Sequence, residues 1–556
     1  MTTKNALFLG TTAAVLIVPL AQAAYAADAA PAGNIETVVV TGSVFQATDI
    51  KREAPVVIDL APLDQIRSLP DVNAAEALQR LPGISLESDT GEGRFINIRG
   101  MDADLNGTTY DGVRLTASNP SSPQGGARAV AFDAFPSGIL GGIEVIKTLT
   151  PELDAEGLGG VVNIQPRTIP AGDDHIFDAS LGGGIETLRD KPVYQGDITV
   201  GKRFLGDTIA VVLSYGYHND ERGIDDIEED YINDPTTVPA GTSNFLTRKA
   251  FDDLQNRWYQ YHRTRQGYGG GITFSPDSVT QLYVRALHAG YVERANKHEL
   301  IITNLAGNIQ SVNNTTGDFT SFDAGSHYSD INTKESLGND VVEFGGNTLI
   351  ANLVQMDARV SWADGHDHWP YSRNVRFTNP NTFNVTYNNT DANRPVYTAL
   401  GGIDLANPGL YTVASGSDSP SGNRDTEYGG VLNFAAPLSL LGDGGVVKFG
   451  GSLRERSRSA QAYAADLNPA DQNLADYVSG PDVTYYHNEY DIGPQPIYPR
   501  LLTIPEGPIS ADPSTFEHDN ENVYAGYGQY STTMGPLDLI AGLRVEHTAG
   551  TYRANA

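Results

Sequence analysis

The chain of 556 residues contains no cysteine and only three tryptophans. Without cysteine, disulfides, thiolate metal ligands and cysteine nucleophiles are excluded together. Basic residues are also scarce, because 37 Lys and Arg stand against 68 Asp and Glu and give a net charge of −31. Since binding to a phosphate backbone needs clustered Lys and Arg, this balance argues against nucleic acid as a partner.

Long apolar runs are missing as well. After residue 20 there is no stretch of about 18 apolar residues, so no membrane-spanning helix is predicted. At the N-terminus, Lys4 precedes an apolar segment at 6–20, and small residues then lead to Ala26. This pattern predicts a signal peptide over residues 1–26. A membrane anchor is the alternative, but Pro19 and the short apolar length argue against it. A secreted chain is then soluble, surface-bound or a β-barrel, because a closed barrel pairs its backbone groups without an apolar run.

Residues 27–53 are predicted to form a thin tail after the signal peptide. Its segment 36–42 holds three valines and two threonines, a composition that favours a β-strand. Two interpretations stay open. The segment either adds to the sheet of the next domain or pairs with a strand of another chain.

Residues 54–168 are predicted to form a compact α+β domain. Asn73 and Glu76 make a capping box at the start of a helix, which Pro82 and Gly83 end. Short strands separated by glycine-bearing turns are predicted around it. They lie at residues 54–60, 84–86, 94–100, 110–115, 143–147 and 161–164.

Residues 175–556 change to a period-two pattern. Val211, Leu213 and Tyr215 share one face of a strand whose other face is mostly small or polar, and the same alternation recurs at 447–454 and 537–546. A soluble β-sandwich also alternates, so connection lengths matter. Short turns opposite long polar loops, with tyrosines at strand ends, are typical of an outer-membrane barrel. Tight turns are predicted at 275–277, 441–445 and 533–536, and long connections at 219–265, 294–346, 371–424 and 457–520.

Five motifs in residues 54–168 resemble, in the correct order, the plug domain of TonB-dependent outer-membrane receptors of the proteobacterial type. They lie at residues 77–84 (ALQRLPGI), 95–100 (FINIRG), 111–114 (DGVR), 143–147 (IEVIK) and 157–164 (GLGGVVNI). The segment 36–42 is similar to the TonB box of that family. The predicted TonB-binding residues are therefore Glu36, Thr37, Val38, Val39, Val40 and Thr41. The resemblance is specific over residues 36–168 and covers 175–556 only as a barrel pattern.

The resemblance implies an α+β plug inside an all-β, 22-stranded transmembrane barrel of the cell outer membrane. It implies active import of a scarce nutrient, with TonB and its inner-membrane complex, outer-membrane lipid and a small-molecule or oligosaccharide ligand as partners. A transporter of this kind is not an enzyme and needs no cofactor. A passive porin or an adhesin is the alternative function, which the plug and the TonB-like segment disfavour.

The barrel is expected to be incomplete in this chain. Outside the four long connections there is room for at most roughly 16 strands of about 10 residues, fewer than in plugged outer-membrane transporters. The sequence also stops at Ala556, directly after a strong strand. We therefore expect a barrel over 175–556 that is truncated at its C-terminus.

Residues of the plug supply most of the candidate site. Arg94, Arg99 and Arg114 are predicted to form plug–barrel ion pairs, with ligand contact as the alternative. Ligand binding is expected at two plug apices, 102–109 and 116–128, and at the tips of the long loops. The residues predicted to bind ligand are Asp102, Asp104, Asn106 and Trp258.

The class of ligand stays open between an oligosaccharide and a ferric siderophore. Aromatic side chains with nearby carboxylates suit a sugar, and the segment 257–263 (RWYQYHR) together with the acidic run 219–235 has this character. Arginines suit an anionic siderophore, and Arg257, Arg263 and Arg265 favour that class.

Metal and catalytic sites are not predicted. His366 and His368, with Asp364 nearby, form a lone H-x-H pair without the third ligand that a zinc site requires. The acidic run 219–235 lacks EF-hand spacing, so it is predicted to be a solvated loop. No nucleophile elbow, H-E-x-x-H motif or phosphate-binding glycine loop occurs, and catalysis therefore has no support.

Overall fold

The computed structural model describes residues 50–52, 54–69, 71–117, 128–170, 172–232, 238–441, 443–486 and 488–555. The chain divides into two compact units, Met1–Ile35 and Glu36–Ala556, and every described residue belongs to the second unit. The predicted signal peptide, the TonB-like segment 36–42 and residues 118–127 of the predicted apex 116–128 lie outside the described residues. Within the described part, no helix has the length and apolar character needed to cross a membrane.

The first domain is a small α+β unit, which we call the plug. Its helices are α1 (Leu63–Arg67) and α2 (Ala74–Leu78). Its strands are β1 (Ile58–Pro62), β2 (Ile84–Asp89), β3 (Glu92–Ile98), β4 (Gly107–Tyr110), β5 (Val113–Arg114), β6 (Gly142–Ile146) and β7 (Val161–Gln165). The predicted α+β domain is thereby confirmed, with each predicted strand within a few residues of its expected place.

Local sequence explains how the plug begins its helix and joins its strands. The Asn73 side chain accepts a hydrogen bond from the Glu76 amide at 3.1 Å, and the Glu76 carboxylate accepts one from the Val72 amide at 3.0 Å. These bonds satisfy donors that a helix start leaves free. Five strands form one sheet in the order β1-β6-β7-β4-β5, with β4 parallel to β7, and β2 pairs with β3 as a hairpin.

The rest of the chain forms a large antiparallel sheet, which we call the wall. Its long strands are β8 (His175–Glu186), β9 (Lys191–Phe204), β10 (Ile209–Tyr231), β11 (Phe251–Phe274), β12 (Gln281–Thr303), β14 (Asp318–Ile350), β15 (Val354–Thr378), β18 (Thr412–Asp418), β19 (Ser421–Pro437), β20 (Asp443–Asp466), β24 (Glu517–Met534) and β25 (Leu537–Ala554). Shorter elements between them are β13 (Ile309–Val312), β16 (Phe383–Asn388), β17 (Val396–Ala399), β21 (Val478–Tyr485), β22 (Tyr490–Pro496), β23 (Ser510–Ala511), α3 (Asn244–Thr247) and α4 (Tyr498–Leu502).

Neighbouring wall strands follow one another along the chain. The sheet order is β25-β24-β20-β18-β15-β14-β12-β11-β10-β9-β8, and β18 and β19 both pair with β15 and β20. They therefore form one wall strand that is interrupted at Pro420, where a ladder donor is missing. Among the described residues, β8 pairs only with β9 and β25 only with β24, so these two strands are the edges of the described wall.

The alternation predicted from the sequence sets the two faces of the wall. Leu213 and Tyr215 of β10 are exposed on the outer face, whereas Ser214 between them is buried on the inner face. Leu543 and Val545 of β25 are likewise about two-thirds exposed, at 67% and 64%. Ion pairs with the plug involve wall residues from Asp178 of β8 to Arg544 of β25. The predicted fold class, an all-β barrel wall around an α+β plug, is confirmed.

The predicted extent of the long connections is wrong. Much of the chain in these connections continues the wall strands, at 219–265, 294–346, 371–424 and 457–520. β14 alone has 33 residues, where about 10 were expected. These strand portions carry polar residues on both faces, so the sequence resembles a loop, although backbone pairing continues without interruption. The predicted asymmetry remains, since turns at 205–208, 275–280, 351–353, 438–442 and 535–536 are short, while 232–250, 304–317, 379–411 and 467–516 are long.

Tyrosine has a second role that the composition did not reveal. Tyr215 and Tyr268 lie exposed on the outer face of the wall, in agreement with an interfacial role. Tyr328, Tyr387 and Tyr411, in contrast, are buried in a hydrophobic cluster among the long connections. The expectation that tyrosines lie at strand ends therefore accounts for only part of the tyrosine content.

Candidate functional site

The plug is held inside the wall by buried ion pairs, and the densest group surrounds Glu92 of β3. The Glu92 carboxylate accepts hydrogen bonds from Arg222 at 2.7 Å, Arg263 at 3.0 Å and Arg265 at 2.5 Å. Arg222 belongs to β10, and the other two arginines belong to β11. All four side chains are buried. One plug carboxylate therefore joins two neighbouring wall strands.

Two further carboxylates complete this group. The Asp133 carboxylate of the plug accepts a hydrogen bond from Arg263 at 2.9 Å, and Glu293 of β12 contacts Arg263 at 2.6 Å and Arg222 at 3.3 Å. We call Glu92, Asp133, Arg222, Arg263, Arg265 and Glu293 the arginine cluster. Because a buried charge is costly unless it is paired, the cluster favours one orientation of the plug in the wall.

The arginines also decide the charge of Glu92. Burial alone would raise the pKa of its carboxyl group, but Arg265, Arg222 and Arg263 outweigh burial and hold that pKa well below its ordinary value. Glu92 is consequently ionised at neutral pH. Removing this charge leaves three buried guanidinium groups with fewer acceptors.

A second ion-pair group joins the plug to β19 and β20. Arg114 contacts Glu156 at 2.7 Å and Glu427 of β19 at 3.3 Å, and Arg454 of β20 contacts the same two carboxylates at 3.0 and 3.4 Å. Burial would raise the pKa of Glu156, but Arg114 and Arg454 lower it to about 2. Two plug residues and two wall residues thus share one charge-balanced group.

Further ion pairs lie between these two groups and on either side of them. Together the contacts reach strands from β8 to β25, so the plug is attached along the width of the wall. They join Arg67 to Asp178 and to Asp197 (2.5 Å), Arg94 to Glu335 (3.4 Å), Lys448 to Glu152 (3.0 Å) and Arg544 to Asp154 (2.6 Å).

Glycines in the wall allow one part of the plug to approach closely. A Cβ atom at Gly267 of β11 would lie 2.5 Å from Ile139 Cδ1, and one at Gly216 of β10 would lie 3.0 Å from Ile139 Cγ2. The short 3-10 turn Ser137–Ile139 of the plug therefore packs against bare backbone. A side chain at either wall position would push the plug inward.

A cavity of about 300 Å³ separates another part of the plug from the wall. Thr109 and Asn163 border it on the plug side, Asp357 and Asn433 border it on the wall side, and Val161 and Val431 add apolar surface from each side. A shift of the plug away from these strands would enlarge a gap that already exists.

The structure places the three predicted plug arginines differently. Arg94 contacts Glu335 of β14, and Arg114 contacts Glu427 of β19, so both lie at the interface with the wall. Arg99 does not, because its guanidinium donates to the backbone carbonyls of Leu158 and Gly159 within the plug. Arg99 follows the end of β3 with a positive φ of 56°, and this turn directs its side chain back along the plug. Within the described part of the chain, the predicted ion pair of Arg99 with the wall is therefore not found.

Three of the four predicted ligand-binding residues share one apex of the plug. Asp102 accepts from the Asp104 amide at 2.9 Å, and Asp104 accepts from the amides of Arg128 and Ala129 at 2.8 and 2.7 Å. Asn106 donates to the backbone of β3 at 3.0 Å. These side chains therefore hold residues 102–106 in shape, and Asp104 also fixes the backbone at Arg128 and Ala129.

Trp258 lies elsewhere and is not exposed. It belongs to β11, is only 5% exposed, and has the Arg189 guanidinium 5.0 Å from the centre of its ring. The predicted position of Trp258 at a loop tip is therefore wrong, and its contact with ligand stays a prediction. The polar composition around it suggested a loop, whereas the chain there continues the wall.

The arginines that favoured an anionic cargo also have protein partners. Arg263 and Arg265 belong to the arginine cluster, and Arg257 pairs with Glu228 and donates to Gln255 at 3.2 Å. Residues 219–231 of the acidic run lie in β10, where Asp220 and Asp225 pair with Arg222 and Arg189. The prediction of a solvated acidic loop is wrong for these residues, while 233–237 lie outside the described part.

Most of the arginine cluster was not predicted from the sequence. One signal was present, because Tyr259, Tyr261, Arg263 and Arg265 occupy alternate positions and therefore share one face of a strand. The polar composition of 219–265 concealed that strand. The pairing with Glu92 and Asp133 joins positions far apart in the chain, which no local pattern reveals.

Comparison with known proteins assigns the first domain. The family described as "TonB-dependent Receptor Plug Domain" matches residues 50–161. This match covers most of the plug and does not extend into the wall. The resemblance drawn from the five motifs is thereby confirmed, and the ion pairs described above are those between this plug and its wall.

Three individual proteins are similar to parts of the chain. The vitamin B12 transporter BtuB of Vibrio vulnificus (strain YJ016) is 30% identical over 153 residues, which cover 27% of this chain and only 23% of that protein. Two solved structures are similar over more of the chain but at low identity. The ferric citrate transporter FecA covers 91% of this chain and 98% of its own at 10% identity, with a TM-score of 0.28. The ferripyoverdine receptor of the outer membrane of Pseudomonas aeruginosa covers 92% and 73% at 12% identity, with a TM-score of 0.32. At these TM-scores the structural likeness supports no further conclusion.

Proposed function

We propose that the receptor imports a scarce nutrient across the cell outer membrane, with energy supplied by TonB. The observation that carries this proposal is the set of ion pairs that attaches the plug to the wall from β8 to β25. Ion pairs exchange their partners for water as they separate. A plug attached in this way can be displaced by work, while the backbone ladder of the wall remains intact.

The outer face of the wall supports a location in the membrane. Leu213, Phe449 and Leu543 are exposed on it, and Tyr215 and Tyr268 are exposed further along the strands. An apolar band with aromatic residues at its border is what lipid requires of a barrel. Outer-membrane lipid is therefore a proposed partner. A passive porin or an adhesin is disfavoured, because neither function needs a plug attached by buried charges.

TonB is the proposed source of work, and Glu36 to Thr41 the proposed contact. Such a segment can add a strand to the sheet of another protein through main-chain hydrogen bonds. Val38, Val39 and Val40 favour the extended conformation this requires. Force applied there would reach the plug from its N-terminal side and separate its ion pairs with the wall.

A proline substitution in this segment tests the coupling. Val39→Pro removes a backbone donor and should abolish energised uptake, whereas Val39→Ala keeps the backbone and should have a mild effect. Binding of ligand at the outer side should survive both changes, as measured on purified receptor. Uptake by Val39→Pro equal to that of the parent, at equal outer-membrane abundance, would exclude this segment as the contact.

The ligand is proposed to bind at the apex that holds Asp102, Asp104 and Asn106. Ferric siderophores and oligosaccharides remain the proposed classes of cargo, and cobalamin joins them because the curated relative is a vitamin B12 transporter. Growth of a deletion strain, with and without the complementing gene, distinguishes the three when iron, cobalamin or carbon source is limiting in turn. Calorimetry with the triple alanine variant at the apex then tests the placement, which unchanged affinity would reject.

A further inference from the structure

Four titratable side chains meet on the outer face of the wall, away from the plug. They are His288 of β12, Asp340 of β14, and Asp364 and His366 of β15. The face is fixed by Gly365, which lies between the last two residues and packs on Thr116 of the plug, where a Cβ atom would be 2.8 Å from the Thr116 carbonyl oxygen. Because side chains alternate along a strand, Asp364 and His366 point away from the plug.

Three of these residues bring metal-ligand atoms together. One ligand atom from each of Asp340, Asp364 and His366 lies within 4.8 Å of the other two. Asp340 and Asp364 are directly opposite each other on adjacent strands. Asp364 and His366 are not hydrogen-bonded, since Oδ2 and Nδ1 are 3.9 Å apart. A shared cation between two carboxylates and an imidazole accounts for such an arrangement.

The two carboxylates are oriented by neighbouring groups. The His288 ring lies 2.8 Å from the Asp340 carboxylate, and Arg424 and Thr426 donate to Asp364 Oδ1 at 2.8 and 2.6 Å. These bonds leave Asp364 Oδ2 on the side of His366. Outer partners that hold ligating side chains in place are a regular feature of metal sites.

A glycine makes room for the imidazole rings. A Cβ atom at Gly338 of β14 would lie 2.7 Å from His366 Cε1, 3.0 Å from His366 Nε2 and 3.6 Å from His288 Cε1. Both rings therefore lie over the bare backbone of Gly338. The Tyr268 ring stacks on His288 at 4.7 Å, which places the group beside the exposed tyrosines of the outer face.

We propose that Asp340, Asp364 and His366 bind a divalent first-row transition metal such as Zn²⁺. Imidazole with carboxylates is a ligand set that Zn²⁺ accepts, and thiolates are excluded because the chain has no cysteine. Asp340 and His366 are about one-third exposed, so the cation reaches the site from outside and keeps open positions there. The sequence pattern paired His366 with His368, whereas the structure groups His366 with Asp364 and with Asp340 from the adjacent strand.

Titration of Zn²⁺ into the tag-free, chelator-treated receptor in detergent tests the site. We expect one equivalent to bind, and we expect binding to be lost in Asp340→Asn and in His366→Gln. His288→Gln, which alters an outer partner, should weaken binding about tenfold or more. His368→Gln is the matched control, because it removes a histidine from the same strand face and should leave binding unchanged.

Gly338→Ala tests whether Zn²⁺ binding depends on the position of the imidazole rings and not only on the presence of the histidines. It changes no ligand, yet it should displace the His366 ring and weaken Zn²⁺ binding. Electron paramagnetic resonance with Cu²⁺ should show nitrogen coupling in the parent that disappears in His366→Gln. Far-UV circular dichroism and gel mobility with and without heating verify the fold of each variant. Absence of binding by the parent, or equal binding by the parent and His366→Gln, would overturn the proposal.

Discussion

Glu92 and Arg263 are separated by 171 positions in the chain, yet their charged groups lie 3.0 Å apart in the plug–wall interface. Arg263 is 1% exposed and also contacts Asp133 of the plug and Glu293 of the wall. Removal of the plug would therefore take two of the three carboxylates from Arg263 and leave only Glu293. The contacts that attach the plug thus also neutralise buried arginines of the wall.

Neutralising Glu92 should loosen the plug. Glu92→Gln leaves Arg222, Arg263 and Arg265 with a weaker shared partner, and loss of one member of a buried pair costs about 3 kcal/mol or more. Hydrogen exchange of the β3 amides should show that the free energy of local opening is lower by about this amount. Glu87→Gln on β2 is the matched control, because Glu87 accepts a hydrogen bond from Asn97 within the plug. Equal protection of β3 in Glu92→Gln and the parent would contradict the role of the cluster.

Acid should weaken the attachment of the plug around Glu156. The pKa of Glu156 falls to about 2 in the folded protein, below its ordinary value, so its ion pairs stabilise the folded state above the ordinary pKa. This contribution should be constant near neutral pH and be lost as the pH falls toward 2. Limited proteolysis of the plug between pH 7 and pH 3 measures it. Glu156→Gln should reduce the pH dependence, and an unchanged profile would refute the assignment.

A disulfide between plug and wall should stop import reversibly. A Cβ atom at Gly216 would lie 3.4 Å from the Cβ atom of Pro136, near the lower end of the range of about 3.5–4.5 Å found in disulfides. Because the chain has no native cysteine, the Pro136→Cys/Gly216→Cys variant forms no competing bond. We expect ligand binding to remain, and uptake to fail until a reductant is added. The two single variants serve as controls. Full uptake by the oxidised double variant would show that the plug does not have to leave this contact.

Loss of the Asp104 carboxylate should disturb the apex of the plug. Its oxygen accepts from the amides of Arg128 and Ala129, so Asp104→Ala leaves both donors without this partner. Asp104→Asn retains an acceptor oxygen and should have a smaller effect. Ligand affinity by calorimetry should fall more in the alanine variant than in the asparagine variant. If the two variants lose affinity equally, the charge of Asp104 matters more than its contacts with the backbone.

Local patterns in the sequence determined much of the fold. The capping box at Asn73 and Glu76, the short plug strands and the period-two alternation at Leu213 and Tyr215 all appear in the structure as predicted. The physical reason is that capping, turns and side-chain alternation depend on residues a few positions apart. The five plug motifs indicated the plug family for the same reason, because each is a short run of neighbouring residues.

Only the tertiary structure decided which distant side chains meet. It extended the wall strands through segments that resemble loops, buried Trp258, kept Arg99 within the plug and joined Glu92 to Arg222, Arg263 and Arg265. It also placed Asp340 beside Asp364 and His366, which the sequence showed only as an incomplete metal motif. Such contacts depend on strand register and on the position of the plug, and both are set by pairing between residues far apart in the chain.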